Sequence, residues 1–201
     1  MARPTATPEQ RDRQRALIRR AAAEVYAESG IRGVSVRAIA KRAGVSTGTL
    51  YSYFANLQEL MRSLWREPVE KVNRHLEEVA RRRRAPLRRV RALLEAYADF
   101  ARAHPDVYRG AFLFVRPDSV PRSEAQPLGE VVFYRLLRDA LREGQERGEV
   151  RTGDPGEMAQ LLWAGVHGAV ALPINVEAYR VASAERLVPA MIRTLLRSIE
   201  A

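Results

Sequence analysis

Hydroxyl and phenol groups crowd one short stretch of the chain. From Ser46 to Phe54 it reads STGTLYSYF, with Ser46, Thr47, Thr49, Tyr51, Ser52 and Tyr53 around Gly48. Such groups suit recognition. Hydroxyls donate to or accept from base edges, and a threonine methyl meets the thymine methyl. Tyrosine hydroxyls and helix N-termini hold phosphate. A solvated turn between core helices would use the same residue types. Covalent chemistry has no comparable constellation. The three histidines, His75, His104 and His167, lie far apart, and none stands in an H-E-x-x-H spacing. There is no cysteine, hence no thiol nucleophile or zinc thiolate, which suits a reducing cytoplasm. No G-x-S-x-G, P-loop or G-x-G-x-x-G occurs. The sequence predicts no cofactor, no metal site and no enzyme.

Helices must position this stretch. Ser35 can cap a helix over Val36–Arg42. "AGV" then breaks the pattern at Gly44, and Ser46 caps a second short helix to about Tyr51. Two short helices joined by so tight a turn fit a helix-turn-helix. Ile39, Ala40, Val45 and Leu50 would face inward. Ser46, Thr47, Gly48, Thr49, Tyr51, Ser52 and Tyr53 would face out. A first helix, Pro8 to Glu28, carries Ile18, Ala22 and Val25 on one face and ends in "SGIRG". Asn56 and Glu59 have capping-box spacing and open a longer helix. Pro68 predicts a kink or break near Arg66.

Helical spacing continues to the end: Leu87 to Ala103, a short helix after His104, 128–146, 154–172, and a last helix carrying Leu187 to Ile199. "VRPDSVPRSEAQP" reads as a loop. The fold class is all-α, about nine helices. The division predicted is 1–66 and 67–201. No apolar run reaches the roughly 20 residues of a membrane span, so no membrane association is expected.

Charge agrees with this division. The net charge is +10. Residues 1–66 hold +7, residues 67–89 hold +4, and residues 90–201 hold −1. A basic N-terminal third on a neutral body is an electrostatic footprint of polyanion binding, though also of a plain basic surface. The run Arg81–Arg84 reads as a solvated loop.

The pieces "VYAESGIRGVSVRAIAKRAGVSTGTLYSYFANLQEL" give residues 9–66 a close resemblance to the DNA-binding domain of TetR-family transcriptional regulators. The resemblance implies that Arg37 reaches a base or phosphate, that Thr47, Gly48 and Thr49 read the groove, and that Ser35, Tyr51, Ser52 and Tyr53 hold the backbone. One departure stands out. Leu57 occupies the position where the family usually carries a lysine on phosphate; Arg3, Arg11 or Arg13 could compensate.

The C-terminal body resembles a TetR subgroup with a W-x-x-x-H-G signature, here Trp163, His167 and Gly168. By that resemblance it encloses a small-molecule cavity and forms a homodimer through its last two helices. Cavity candidates are His75, Tyr97, Phe100, Phe112, Phe114, Phe133, Tyr134, Trp163 and His167. Plain core packing is the more economical reading of most of them. The 154–172 helix is apolar on more sides than one protomer needs. Its Ala164, Gly165, Gly168 and Ala171, with Val188, Met191, Ile192 and Leu195 of the last helix, predict an isologous interface. The expectation is therefore a cytoplasmic homodimeric repressor. It binds a palindromic operator in double-stranded DNA and is released by a small apolar or aromatic effector. A DNA-binding dimer without ligand control, and more remotely a helical enzyme, are the rivals.

Overall fold

A computed structural model describes residues 7–112, 127–176 and 180–201. Among them are nine α-helices: α1 (Pro8–Gly33), α2 (Val36–Ala43), α3 (Thr47–Tyr53), α4 (Leu57–Arg82), α5 (Pro86–Ala103), α6 (Pro105–Phe112), α7 (Val132–Glu146), α8 (Pro155–Asn175) and α9 (Ala184–Ile199). A 3₁₀ turn, Leu128–Glu130, precedes α7. The expected 115–127 loop lies almost wholly outside the described residues.

Local chemistry sets the ends of the helices around the turn, and the starts of α4 and α8. Ser35 Oγ accepts from Ala38 N–H at 3.1 Å and starts α2. Gly44 ends it at φ 66°, where its N–H reaches the Ala40 and Lys41 carbonyls. Ser46 Oγ accepts from Thr49 N–H at 2.9 Å and starts α3. The Asn56–Glu59 box forms: Asn56 Oδ1 accepts from Glu59 N–H at 2.8 Å. The Glu59 carboxylate reaches back to Ala55 N–H, at 2.7 Å. Asp154 caps α8, with Pro155 at its first position.

The first helix breaks within SGIRG as expected: Gly30 leaves helical geometry at φ 60°, ψ −167°, and further helical residues follow to Gly33. Two helices run on further than expected. α4 continues through Pro68 to Arg82 with no break near Arg66. Proline there removes one helical donor, and the apolar faces on either side still repeat at helical spacing. α8 extends past Leu172 to Asn175, with Pro173 in its last turn.

The chain divides into two compact units, which meet along the sequence at Glu67 and Pro68 and again at Arg109 and Gly110. In the first, Ile18, Ala22, Val25, Ile39, Leu50, Phe54 and Leu60 form one buried cluster. The Arg42 guanidinium ties α2 to α1 through Glu24 and Glu28. Arg15 pairs with Glu59 at 3.0 Å and lies over the Phe54 ring at 4.6 Å, fixing α1 against the start of α4.

In the second unit, α5, α7, α8 and α9 pack together. Leu93, Leu137, Leu141, Leu162 and Val166 are buried at its centre. α8 and α9 approach closely at Gly165. A Cβ there would stand 2.9 Å from a Leu195 methyl, so a larger residue would push the helices apart. Arg151 N–H donates to the Ile199 carbonyl at 2.9 Å and pins the chain's end.

Candidate nucleic-acid interface and effector cavity

α3 buries Leu50 completely, packs Tyr53 partly against the same core, and turns most of its other residues outward. Ser46, Thr47, Gly48 and Ser52 are exposed, and Tyr51 is 52% exposed. Thr49 and Tyr53 are half-buried. Ser35 and Arg37, on the neighbouring helix start, are exposed. The structure therefore gathers the nine residues expected to touch DNA on α3 and the start of α2.

Several hydroxyls already work inside the protein. Ser46 caps α3 and shares a hydrogen bond with the Thr49 hydroxyl at 2.8 Å. Ser52 Oγ donates to the Thr49 carbonyl at 2.7 Å. Gly48 is different. A Cβ there would meet nothing nearer than Ser46 Oγ, at 3.7 Å. Glycine inside a helix costs about 0.5–1 kcal/mol relative to alanine, and nothing within the protein requires it. Arg11 lies over the Tyr53 ring, 5.9 Å from its centroid, and brings a cation to the end of α3.

The candidate ligand residues separate into two groups. His75 and Phe100 line a cavity of about 450 Å³. Its walls come from the second half of α4, the second half of α5 and the start of α6. The sequence reading missed Lys71, Val72, Asp99 and His104, which line it too. The four-residue spacing from Lys71 to His75, which puts both on one helix face, was a signal available for it.

Tyr97 and Phe133, both buried, form a separate cluster with the half-buried Trp163 and His167. Tyr97 stacks on Phe133 at 4.6 Å between centroids and meets Trp163 edge-on at 6.5 Å. The Tyr97 hydroxyl is 2.8 Å from His167 Nδ1, and that of Tyr108 is 2.7 Å from it. Tyr108, from α6, was not anticipated. Burial pushes the Tyr97 phenol up to about 12, against hydrogen bonds from Trp163 and Tyr108. Burial first, then Tyr97, raises Tyr108 above the tyrosine range. Burial lowers His167. All three are therefore neutral near neutral pH. An unprotonated His167 Nδ1 can accept from either hydroxyl, and the Tyr108 hydroxyl also stands 3.4 Å from the His167 carbonyl. Tyr134 stands apart, with its hydroxyl against the first turn of α8 at Gly156. The side chain of Phe112, and Phe114 altogether, lie outside the described residues.

The expected dimer residues also separate. On α8, Leu161 is 58% exposed and Leu172 44% exposed. Ala164 and Gly168 lie exposed between them, at helical spacing on the same face. Ala171 is half-buried, as are Met191 and Leu195 of α9. Val188 and Ile192 correct the sequence reading. They are 6% and 2% exposed within the protomer, because α9 packs against α5 as well as α8.

A capped short helix, a glycine turn and a second capped helix with a polar outer face define a helix-turn-helix protein that reads DNA. Residues 18–64 match the family described as "Bacterial regulatory proteins, tetR family". Residues 90–195 match "Tetracyclin repressor-like, C-terminal domain". The chain belongs to the TetR family of transcriptional regulators, which are DNA-binding proteins and not enzymes. It is similar to the fatty acid metabolism regulator protein of Bacillus subtilis (strain 168), with 27% identity over 147 residues, 72% of this chain and 75% of that one. It is also similar to the HTH-type transcriptional repressor KstR2 of Mycobacterium tuberculosis, with 28% identity over 136 residues, 65% of this chain and 66% of that one. The crystal structure of the regulator FadR from Bacillus subtilis in complex with stearoyl-CoA has the same fold, with a TM-score of 0.68 at 24% identity, covering 92% of this chain and 99% of that one. Among the described residues no helix is long and apolar enough to cross a membrane.

Proposed function

We propose that this regulator is a cytoplasmic homodimeric repressor. It reads a palindromic operator with α3 and leaves it when a small, largely apolar effector fills the cavity on α4, α5 and α6. The proposed division is a DNA-reading domain, 1–66, and an effector-binding and dimerisation domain, 67–201. The observation that carries the reading is the outer face of α3, with an unexplained glycine among hydroxyls. Thr47, Gly48 and Thr49 approach base edges. Ser35, Arg37, Ser46, Tyr51, Ser52 and Tyr53 support contacts at the groove and backbone. Arg11, stacked on Tyr53, supplies the cation that Leu57 does not.

The dimer forms through the exposed stripe of α8 with Met191 and Leu195 of α9. Gly168 supports this: a Cβ there would meet nothing within 4 Å in the protomer. A two-fold dimer presents two α3 helices to two half-sites. α4 links effector to DNA. Its Leu60 lies in the core of the first unit, and its Val72 and His75 line the cavity. An effector that binds one position of α4 better than another changes operator affinity by the ratio of those affinities. That the relatives' names mention fatty acid metabolism and stearoyl-CoA supports an apolar ligand.

The test is selection of fragments from host DNA by the purified protein. Mobility shifts on the recovered operator, with and without candidate effectors, follow. A half-site repeat and ligand-driven release are expected. Recovery of no common sequence would sink the reading.

A further inference from the structure

We propose that the turn between α4 and α5 is a second DNA-contacting surface, gripping the phosphates of a duplex other than the one α3 reads. Residues 81–91 hold seven arginines and no acid. In sequence the run Arg81–Arg84 is a solvated loop. In the structure the arginines of this segment divide into two kinds. Arg89 turns inward. Its Nε donates to the Arg83 carbonyl at 2.9 Å, and its Nη2 to the Arg84 carbonyl at 3.3 Å. Its Nη1 donates to Glu143 of α7 at 2.6 Å. One guanidinium thus ties the backbone of the turn to α7. Arg81, Arg83, Arg84 and Arg88 are exposed, and among the described residues none has a carboxylate within ion-pair distance. The other arginines of α5 do: Arg89 pairs with Glu143, Arg91 with Glu95 and Arg102 with Asp99.

The open cations do not serve the fold. Arg81 suits the negative end of α4, but Arg83, Arg84 and Arg88 stand at the positive end of α5. That end has no acid in its first turn and no side-chain cap from Ala85. The four like charges repel one another, and a polyanion relieves that repulsion. Chemistry then selects the partner. Guanidinium forks pair with phosphate or carboxylate. Residues 81–91 include no aromatic side chain, so unpaired bases have no platform to stack on. The large apolar side chains left exposed among the described residues are Leu17, Tyr51, Leu161 and Leu172. None lies here, so nothing anchors the turn in a lipid interface. Duplex phosphate is favoured over protein carboxylate because the reader keeps the protein among duplex DNA, at high local concentration. The patch belongs to the second unit and α3 to the first, so it is a contact in its own right.

The test starts from full-length protein saturated with a short duplex bearing the recovered operator. A second, unrelated duplex with its own label is then added. The expected result is a complex carrying both labels, weakening steeply as salt rises. In an Arg81→Gln, Arg83→Gln, Arg84→Gln, Arg88→Gln variant, capture of the second duplex should fall by about tenfold or more, with operator affinity unchanged. The proposal is overturned if the wild type captures no second duplex, if capture survives in the variant, or if operator affinity falls with it. Competitors check the chemistry. Single-stranded DNA, phosphatidylglycerol vesicles or polyglutamate that displaced the second duplex as well as duplex itself, at equal charge, would overturn the assignment to duplex phosphate. If no operator is recovered, the repressor reading fails, and the unrelated duplex alone judges the surface. Weaker binding by the variant supports it, and equal binding overturns it.

Discussion

Gly48 and His167 make opposite demands on their surroundings, and each yields a measurement. Nothing in the protein fills the space beside Gly48. Gly48→Ala should raise folding stability by about 0.5–1 kcal/mol while weakening operator binding. A melting curve and a mobility shift read the two effects. Stability gained with affinity unchanged would mean that DNA does not come close there. His167 is held neutral by burial among Tyr97 and Tyr108. Its folded pKa lies below the ordinary value of about 6.5. The unfolded chain therefore binds the extra proton more readily, so this contribution is present above about pH 6.5 and is lost as pH falls below it. Chemical denaturation of the wild type should show stability dropping across that range. His167→Asn, which keeps an acceptor near Nδ1 but does not titrate, should flatten the drop. Equal slopes would refute the assignment.

The elements show what could be read from sequence and what could not. The α2–turn–α3 segment was fully legible, because each end is set by a residue with a local job: Ser35, Gly44 and Ser46. Gly44 carries φ 66° in open space. Gly44→Ala should therefore destabilise through backbone strain alone, by about 1 kcal/mol, with a melting point lower by several degrees. The path of α4 through Pro68 was not legible. A proline predicts a break from local chemistry, whereas continuation depends on what the turns before and after it pack against. Likewise Val188 and Ile192 have the spacing of an outward stripe. Only the contact of α9 with α5 turns them inward. The cavity was half legible: aromatic residues attracted notice, but the rim is made by Lys71 and His104, whose types suit any surface.

For the whole molecule, the matter is assembly. Leu161 and Leu172 leave large apolar side chains in water around Ala164 and Gly168. Among the described residues both side chains stand exposed in the protomer. Gly168→Trp should leave the protomer folded, since the added side chain meets open space, yet should block a second copy. Sedimentation should then report a monomer, and operator affinity should fall by about a hundredfold or more as one half-site is lost. A variant that remains dimeric would move the interface elsewhere.

The first unit closes its core with residues 18 to 60 and caps α2, α3 and α4 with side chains of its own. This has an evolutionary consequence. After a gene duplication, the outer residues of α3 can be rewritten one at a time without disturbing Ile39, Leu50 or Phe54. A copy can thus acquire a new address on the chromosome while still answering to its old signal.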